Sequence, residues 1–151
     1  MSNQKLLRYV TYCGLYCGLC ANRNSIPQQA RQLEKTLYEE DFNYFYYPQS
    51  PFWKLLQQLS NLDCACRTGC GPPDCDIRNC AKQKGVEVCP QCSEYPCTLM
   101  QNMAEVYPNL IQDGRHLQRI GLEEWVKEQD ERAKRGFVYG DIRIPRRKEK
   151  N

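Results

Sequence analysis

Apolar side chains recur along this chain at spacings that change from segment to segment. Leu6, Leu7, Tyr9, Val10 and Tyr12 crowd into a brief run that predicts a short strand or extended lead-in. Ala30, Leu33 and Leu37 then recur at helical spacing behind Ser25, Pro27 and Gln28. Ser25 suits an N-cap, Pro27 a first turn, and Gln28 completes a capping-box pattern, so a helix is predicted over 27–40. Ser50 and Pro51 open a second helix over 50–61, where Phe52, Leu55, Leu56 and Leu59 make a stripe that needs covering. Farther on, Ser93 is placed to cap a helix over 94–107 carrying Leu99, Met100 and Met103. Leu122, Trp125 and Val126 mark the apolar face of another over 121–135. In that last helix Glu128 with Arg132, Asp130 with Lys134 and Glu131 with Arg135 stand at i, i+4, the pattern of a solvated face.

Between these helices the periodicity stops and cysteine takes over. The chain of 151 residues holds 11 cysteines, three in 13–20 and eight in 64–97. The second group is punctuated by Gly69, Gly71, Pro72, Pro73, Gly85, Pro90 and Pro96, so turns should dominate there. One short helix fits over 75–84, with Asp74 as N-cap and Gly85 as its stop, and its dipole would favour a thiolate at Cys75.

An odd number of cysteines cannot pair completely within one chain. The opening MSNQKLLRYVTYCG lacks an apolar core followed by a small-residue cleavage site, so a reducing, cytoplasmic setting is expected. No run approaches the roughly 20 apolar residues of a membrane span, and no membrane association is expected. Metal ligation then accounts for the thiols best. Zinc takes four soft ligands in a tetrahedron, and Cys17 with Cys20, or Cys89 with Cys92, supply two corners from one turn. The eight thiols Cys64, Cys66, Cys70, Cys75, Cys80, Cys89, Cys92 and Cys97 equal two complete sites, with pairings that spacing leaves open. Cys13, Cys17 and Cys20 either form a knuckle whose fourth ligand comes from that later group or hold a four-iron cluster.

Formal net charge is +3, and the tail 141–151 alone carries five Lys or Arg against two acids. Two four-thiolate zinc sites would turn +3 into −1, because each carries two net negative charges. Nucleic acid is therefore a poor partner, and the basic tail is expected to be a solvated terminus. Phe42, Tyr44, Phe45, Tyr46, Tyr47, Phe52 and Trp53 take seven of the 16 aromatics, with no Lys or Arg among them, so core packing is expected over base stacking. His116, in the helical stretch DGRHLQRI, is expected at the surface.

Other chemistries fare worse. The Cys13–Cys17–Cys20 spacing occurs in radical S-adenosylmethionine enzymes, but Leu19 stands where those place an aromatic, and the chain lacks the alternating pattern of their barrel. Cys89-Pro-Gln-Cys92 has a redox dithiol's spacing without the α/β context of one. A single histidine, no phosphate loop and no set acidic pair leave no catalytic constellation.

Three stretches, YCGLYCGLC from Tyr12, IRNCAKQKGVEVCPQCSEYPC from Ile77 and GLEEWVKEQDERAKRGF from Gly121, make the chain resemble the cysteine-rich prokaryotic domain-of-unknown-function family 3795. The resemblance implies a small metal-binding protein. It carries over Cys13, Cys17 and Cys20 in the opening and Cys80, Cys89, Cys92 and Cys97 in the later block, and no catalytic residue. The chain departs from the expected C-x2-C pattern at Cys64-Ala-Cys66, whose one-residue spacer strains two bonds to one metal, so one of those two thiols should be unligated. The expectation is a mostly α, metal-stapled domain over 1–140. Its helices surround zinc-knuckle-like loops, structural zinc organises 64–97, and a protein partner is conceivable. The alternative is an iron–sulfur protein with a 4Fe-4S cluster on Cys13, Cys17 and Cys20.

Overall fold

The computed structural model describes residues 3–41 and 49–144. Seven α-helices lie among them: α1 Asn3–Leu7, α2 Ser25–Glu39, α3 Pro51–Ser60, α4 Asp76–Lys84, α5 Thr98–Ala104, α6 Leu110–Ile120 and α7 Leu122–Lys134. The described residues contain no strand. Where an extended lead-in was expected, α1 occupies the front and only Val10 and Tyr16 meet, in an isolated antiparallel bridge.

Local chemistry sets most boundaries. At α3 the Ser50 hydroxyl accepts the Trp53 N–H at 3.1 Å and Pro51 fills the first turn, as the sequence predicted. Gly85 ends α4 in the left-handed conformation at φ 64°, where its N–H reaches the Ala81 and Lys82 carbonyls. The capping box predicted for α2 does not form. Ser25 is already helical, and Asn24 before it donates to the Gly18 carbonyl at 3.0 Å instead of capping. Helix α4 starts one residue later than predicted, with Cys75 and not Asp74 at the cap. Helix α5 starts at Thr98, not 94, because Pro96 bars Tyr95 from helical torsions and Cys97 takes the cap. The predicted 94–107 helix also ends early, and Pro108 separates it from α6, whose limits the sequence had not supplied.

Three apolar clusters hold these elements. The largest joins α1, α6, α7 and the N-terminal turn through Leu6, Val10, Leu19, Leu117, Trp125 and Val126, with Trp125 fully buried. Truncating a tryptophan so enclosed typically costs about 3–5 kcal/mol. A second cluster, Ala30, Trp53 and Leu56, pins α2 to α3, with Tyr38 set edge-on to Trp53 at 5.3 Å. Packing was thus the right expectation for Trp53, whereas Phe52 is 43% exposed and the aromatics of 42–48 lie outside the described residues. The third cluster, Ile77, Met100 and Leu110, carries Cys13, Cys75, Cys89 and Cys97 on its margin.

Helices α6 and α7 turn back on each other at Gly121, whose φ of 84° suits glycine. Their charges pair across the hairpin: Arg132 reaches Asp113 at 3.4 Å and His116 reaches Glu128 at 2.7 Å. Of the predicted i, i+4 pairs, Asp130 with Lys134 forms at 3.0 Å; Glu131 prefers Lys134 at 2.6 Å, and Arg135 donates to the Glu131 carbonyl. The start of the basic tail is fastened, since the Ile144 N–H donates to the Val106 carbonyl at 2.9 Å. Residues 145–151 lie outside the described part. No helix among the described residues is long and apolar enough to cross a membrane.

Candidate metal centre

Two turns of the same shape present the C-x2-C pairs. Cys17–Leu19 and Cys89–Gln91 are each a single 3-10 turn, preceded by an extended residue, Tyr16 or Val88, and followed by an extended cysteine, Cys20 or Cys92. In each the second cysteine's N–H bonds the first one's carbonyl, at 3.0 Å and 2.9 Å. Such a turn points both side chains to one side of the backbone, which is what two ligands to one metal require. Both turns hang from one stretch of chain: the Cys17 N–H donates to the Tyr9 carbonyl and the Cys89 N–H to the Tyr12 carbonyl, each at 2.7 Å.

Around the second turn four thiols share one small space. Cys80 projects from α4, Cys89 and Cys92 from the turn, and Cys97 from the cap of α5, all lining a cavity of about 20 Å³. That volume suits one atom-sized occupant, a water or an ion. Ala81, Val86, Tyr95 and Met100 close its walls, and Lys84, held by Glu94 at 2.5 Å, stands at its edge. Burial, followed by the nearby Cys13 and Cys97 sulfurs, pushes the Cys89 thiol up to about 12. A bound cation reverses that preference, because a coordinated thiol gives up its proton.

Around the first turn the thiols are more deeply placed. Burial holds the Cys17 thiol above its ordinary range, with the Cys66 N–H bonded to its sulfur and Cys66 and Cys20 beside it. Burial also raises Cys13, to about 11, against the Thr11 hydroxyl 3.0 Å from its sulfur and the Leu15 N–H. Cys66, Cys75 and Cys89 are thiols near Cys13.

The remaining two, Cys64 and Cys70, are bonded to each other as a disulfide, with Cα atoms 5.4 Å apart, a usual span for such a bridge. In this form the two offer no free thiolate, and nine of the eleven cysteines are free. Among the described residues, no three His, Cys, Asp or Glu side chains already stand in the arrangement of a metal site. His116, expected at the surface, is half-buried on α6 and pairs with Glu128 at 2.7 Å.

Two positions the sequence did not flag matter here. Lys84 brings a cation to the four-thiol cavity, and Arg78 on α4, 8% exposed, turns inward toward Cys66. Nothing local marks Arg78: Asp74, four residues earlier, looks like its helical partner, but α4 begins only at Asp76.

Fold and thiol arrangement define a small, mostly helical, cysteine-rich protein. The chain belongs to the family described as Protein of unknown function (DUF3795), whose model matches residues 9–102. That span takes in both cysteine groups and stops short of the Gly121–Phe137 stretch. No curated protein and no solved structure matches the chain.

Proposed function

We propose that the protein is a metal-binding module in which Cys80, Cys89, Cys92 and Cys97 hold a structural zinc. The observation that carries this reading is the four free thiols around one cavity of about 20 Å³, delivered by three separate elements. The donor set fits the ion. Four thiolates satisfy a tetrahedral zinc and leave no open position for a substrate, which makes the metal a staple and not a reaction centre. Four thiolates on zinc carry two net negative charges, and Lys84, ion-paired with Glu94, stands at the edge of the cavity.

The staple has work to do in folding. The stretch 62–97 buries few apolar side chains, mainly Ala65, Ile77, Ala81 and Val88, and its turns leave much backbone to order. Metal binding supplies that ordering free energy. With the metal fully coordinated, function passes to the surface, where Leu33, Tyr38 and Leu55 of α2 and α3 are between 44% and 54% exposed and offer a protein partner apolar contact.

The test is anaerobic purification without added metal, followed by zinc, iron and acid-labile sulfide per chain. Zinc at one or two per chain with no visible absorption, falling by one in C92S, supports the reading. Iron and sulfide in near-equal amounts would replace it with the cluster alternative, and a fully reduced chain that binds neither metal would end both.

A further inference from the structure

We propose that Cys66 is the fourth ligand of a second four-thiolate zinc centre, completed by Cys13, Cys17 and Cys20, and that Arg78 is the buried counter-cation of that centre. This rests on the metal-binding reading and extends it to a site of different electrostatic design.

Arg78 carries a buried charge that no carboxylate among the described residues answers. Arg78 is 8% exposed, and among the described residues no carboxylate lies within ion-pair distance of it. One terminal nitrogen, Nη2, donates to the Cys70 carbonyl at 2.9 Å and lies 3.8 Å from the Cys66 sulfur. Its Nε is buried with no hydrogen-bond partner at all. Burying a guanidinium beside neutral groups is expensive, and proteins retain such a charge where an anion answers it. The group it faces is sulfur.

The placement of Cys66 then selects its companions. Its N–H bonds the Cys17 sulfur, and its own thiol is close to both Cys13 and Cys17, while Cys20 shares the turn of Cys17. Cys66 is thus a thiol of the later group that neighbours both Cys13 and Cys17. Cys75 and Cys89 also neighbour Cys13, but Cys66 is the one of the three that stands beside Cys17 as well, and Cys64 and Cys70 are bonded to each other. Four thiolates on zinc leave two negative charges, and Arg78 supplies the opposite sign from the protein side. The Thr11 hydroxyl beside Cys13 is a further donor for a thiolate there. The one-residue spacer of Cys64-Ala-Cys66 also falls into place, because only Cys66 of the two is asked to ligate.

The experiment measures zinc per chain, and zinc retention against a competing chelator, in the full-length protein and in C66S, C75S, C92S, R78Q and R78K, with helix content checked by circular dichroism. The expected result is two zincs in the parent and in C75S, and one in C66S and in C92S. R78Q should hold its second zinc about 10- to 100-fold more weakly, the range for groups that support metal ligands from behind, with R78K retaining most of the affinity. Cys66→His, which keeps a zinc-binding atom, should restore the second zinc if C66S has lost it through ligation and not through misfolding. Two zincs in C66S, or equal retention in R78Q and the parent, would overturn the inference. So would a parent with one zinc that C92S loses and C66S keeps, and that result leaves the first centre standing. No zinc in any variant would instead remove the metal-binding reading beneath it.

Discussion

The Cys89 N–H donates to the Tyr12 carbonyl at 2.7 Å, which ties the second cysteine turn to the residue that opens the first cysteine group. Pro90 follows through against Gly14, where a Cβ would come within 3.1 Å of the proline ring, so a side chain at 14 would push the two groups apart. The left-handed φ of 86° at Gly14 adds to that restriction. The Cys13 and Cys89 sulfurs are brought near each other as a result.

Removing metal should therefore loosen both cysteine groups together and leave the α2–α3 pair alone. Its core of Ala30, Trp53 and Leu56 contains no cysteine. Hydrogen exchange before and after chelation checks this: amides of 64–97 and of 9–20 should lose protection while those of α3 keep theirs. Unchanged protection throughout would show that the thiols hold no structural ion.

A second prediction concerns Tyr139, whose hydroxyl oxygen accepts the buried Tyr16 N–H at 2.9 Å. In Tyr139→Phe that N–H has no partner, at a cost of about 1–3 kcal/mol. Trp125 is the reverse case, because its indole N–H is buried with no acceptor. W125F discards that orphan along with part of the ring, so it should cost less than the 3–5 kcal/mol or so expected of W125A. Urea unfolding of the three metal-loaded variants compares them directly.

Alkaline pH should unfold the protein by way of its tyrosines. Burial pushes Tyr95 up to about 12, and burial likewise raises Tyr16, Tyr107 and Tyr139. A raised tyrosine favours the neutral form in the fold, so its contribution is complete below the ordinary value of about 10 and is lost as pH climbs through the folded value. Of the ten tyrosines, a fraction should ionise only as helicity falls, seen by following tyrosinate absorbance and circular dichroism together. All ten titrating normally with the helices intact would contradict this burial.

The thiol inventory gives a fourth test. With Cys64 joined to Cys70 and nine cysteines free, alkylation of the denatured, metal-stripped chain should add nine labels, rising to eleven after reduction, as read by mass spectrometry. Eleven labels without reduction would place Cys64 and Cys70 back among the available ligands.

Helices α2, α3, α4 and α7 were legible in the chain itself, as were the two C-x2-C turns, because periodicity, Ser50, Pro51 and Gly85 act within a few residues of where they stand. Helix α6 was visible only as an unbounded helical stretch, and the Ser25 and Ser93 caps failed where Asn24 bonded Gly18 and Pro96 delayed α5. The inventory of thiols was equally plain, and its partition was not. Which sulfurs meet depends on Cys89 reaching Tyr12, on α4 carrying Cys80 to the cavity edge, and on Arg78 turning inward toward Cys66. Those are contacts between residues far apart in the chain, set by how the apolar clusters pack the helices, and spacing along a sequence carries no information about a partner that only folding brings near.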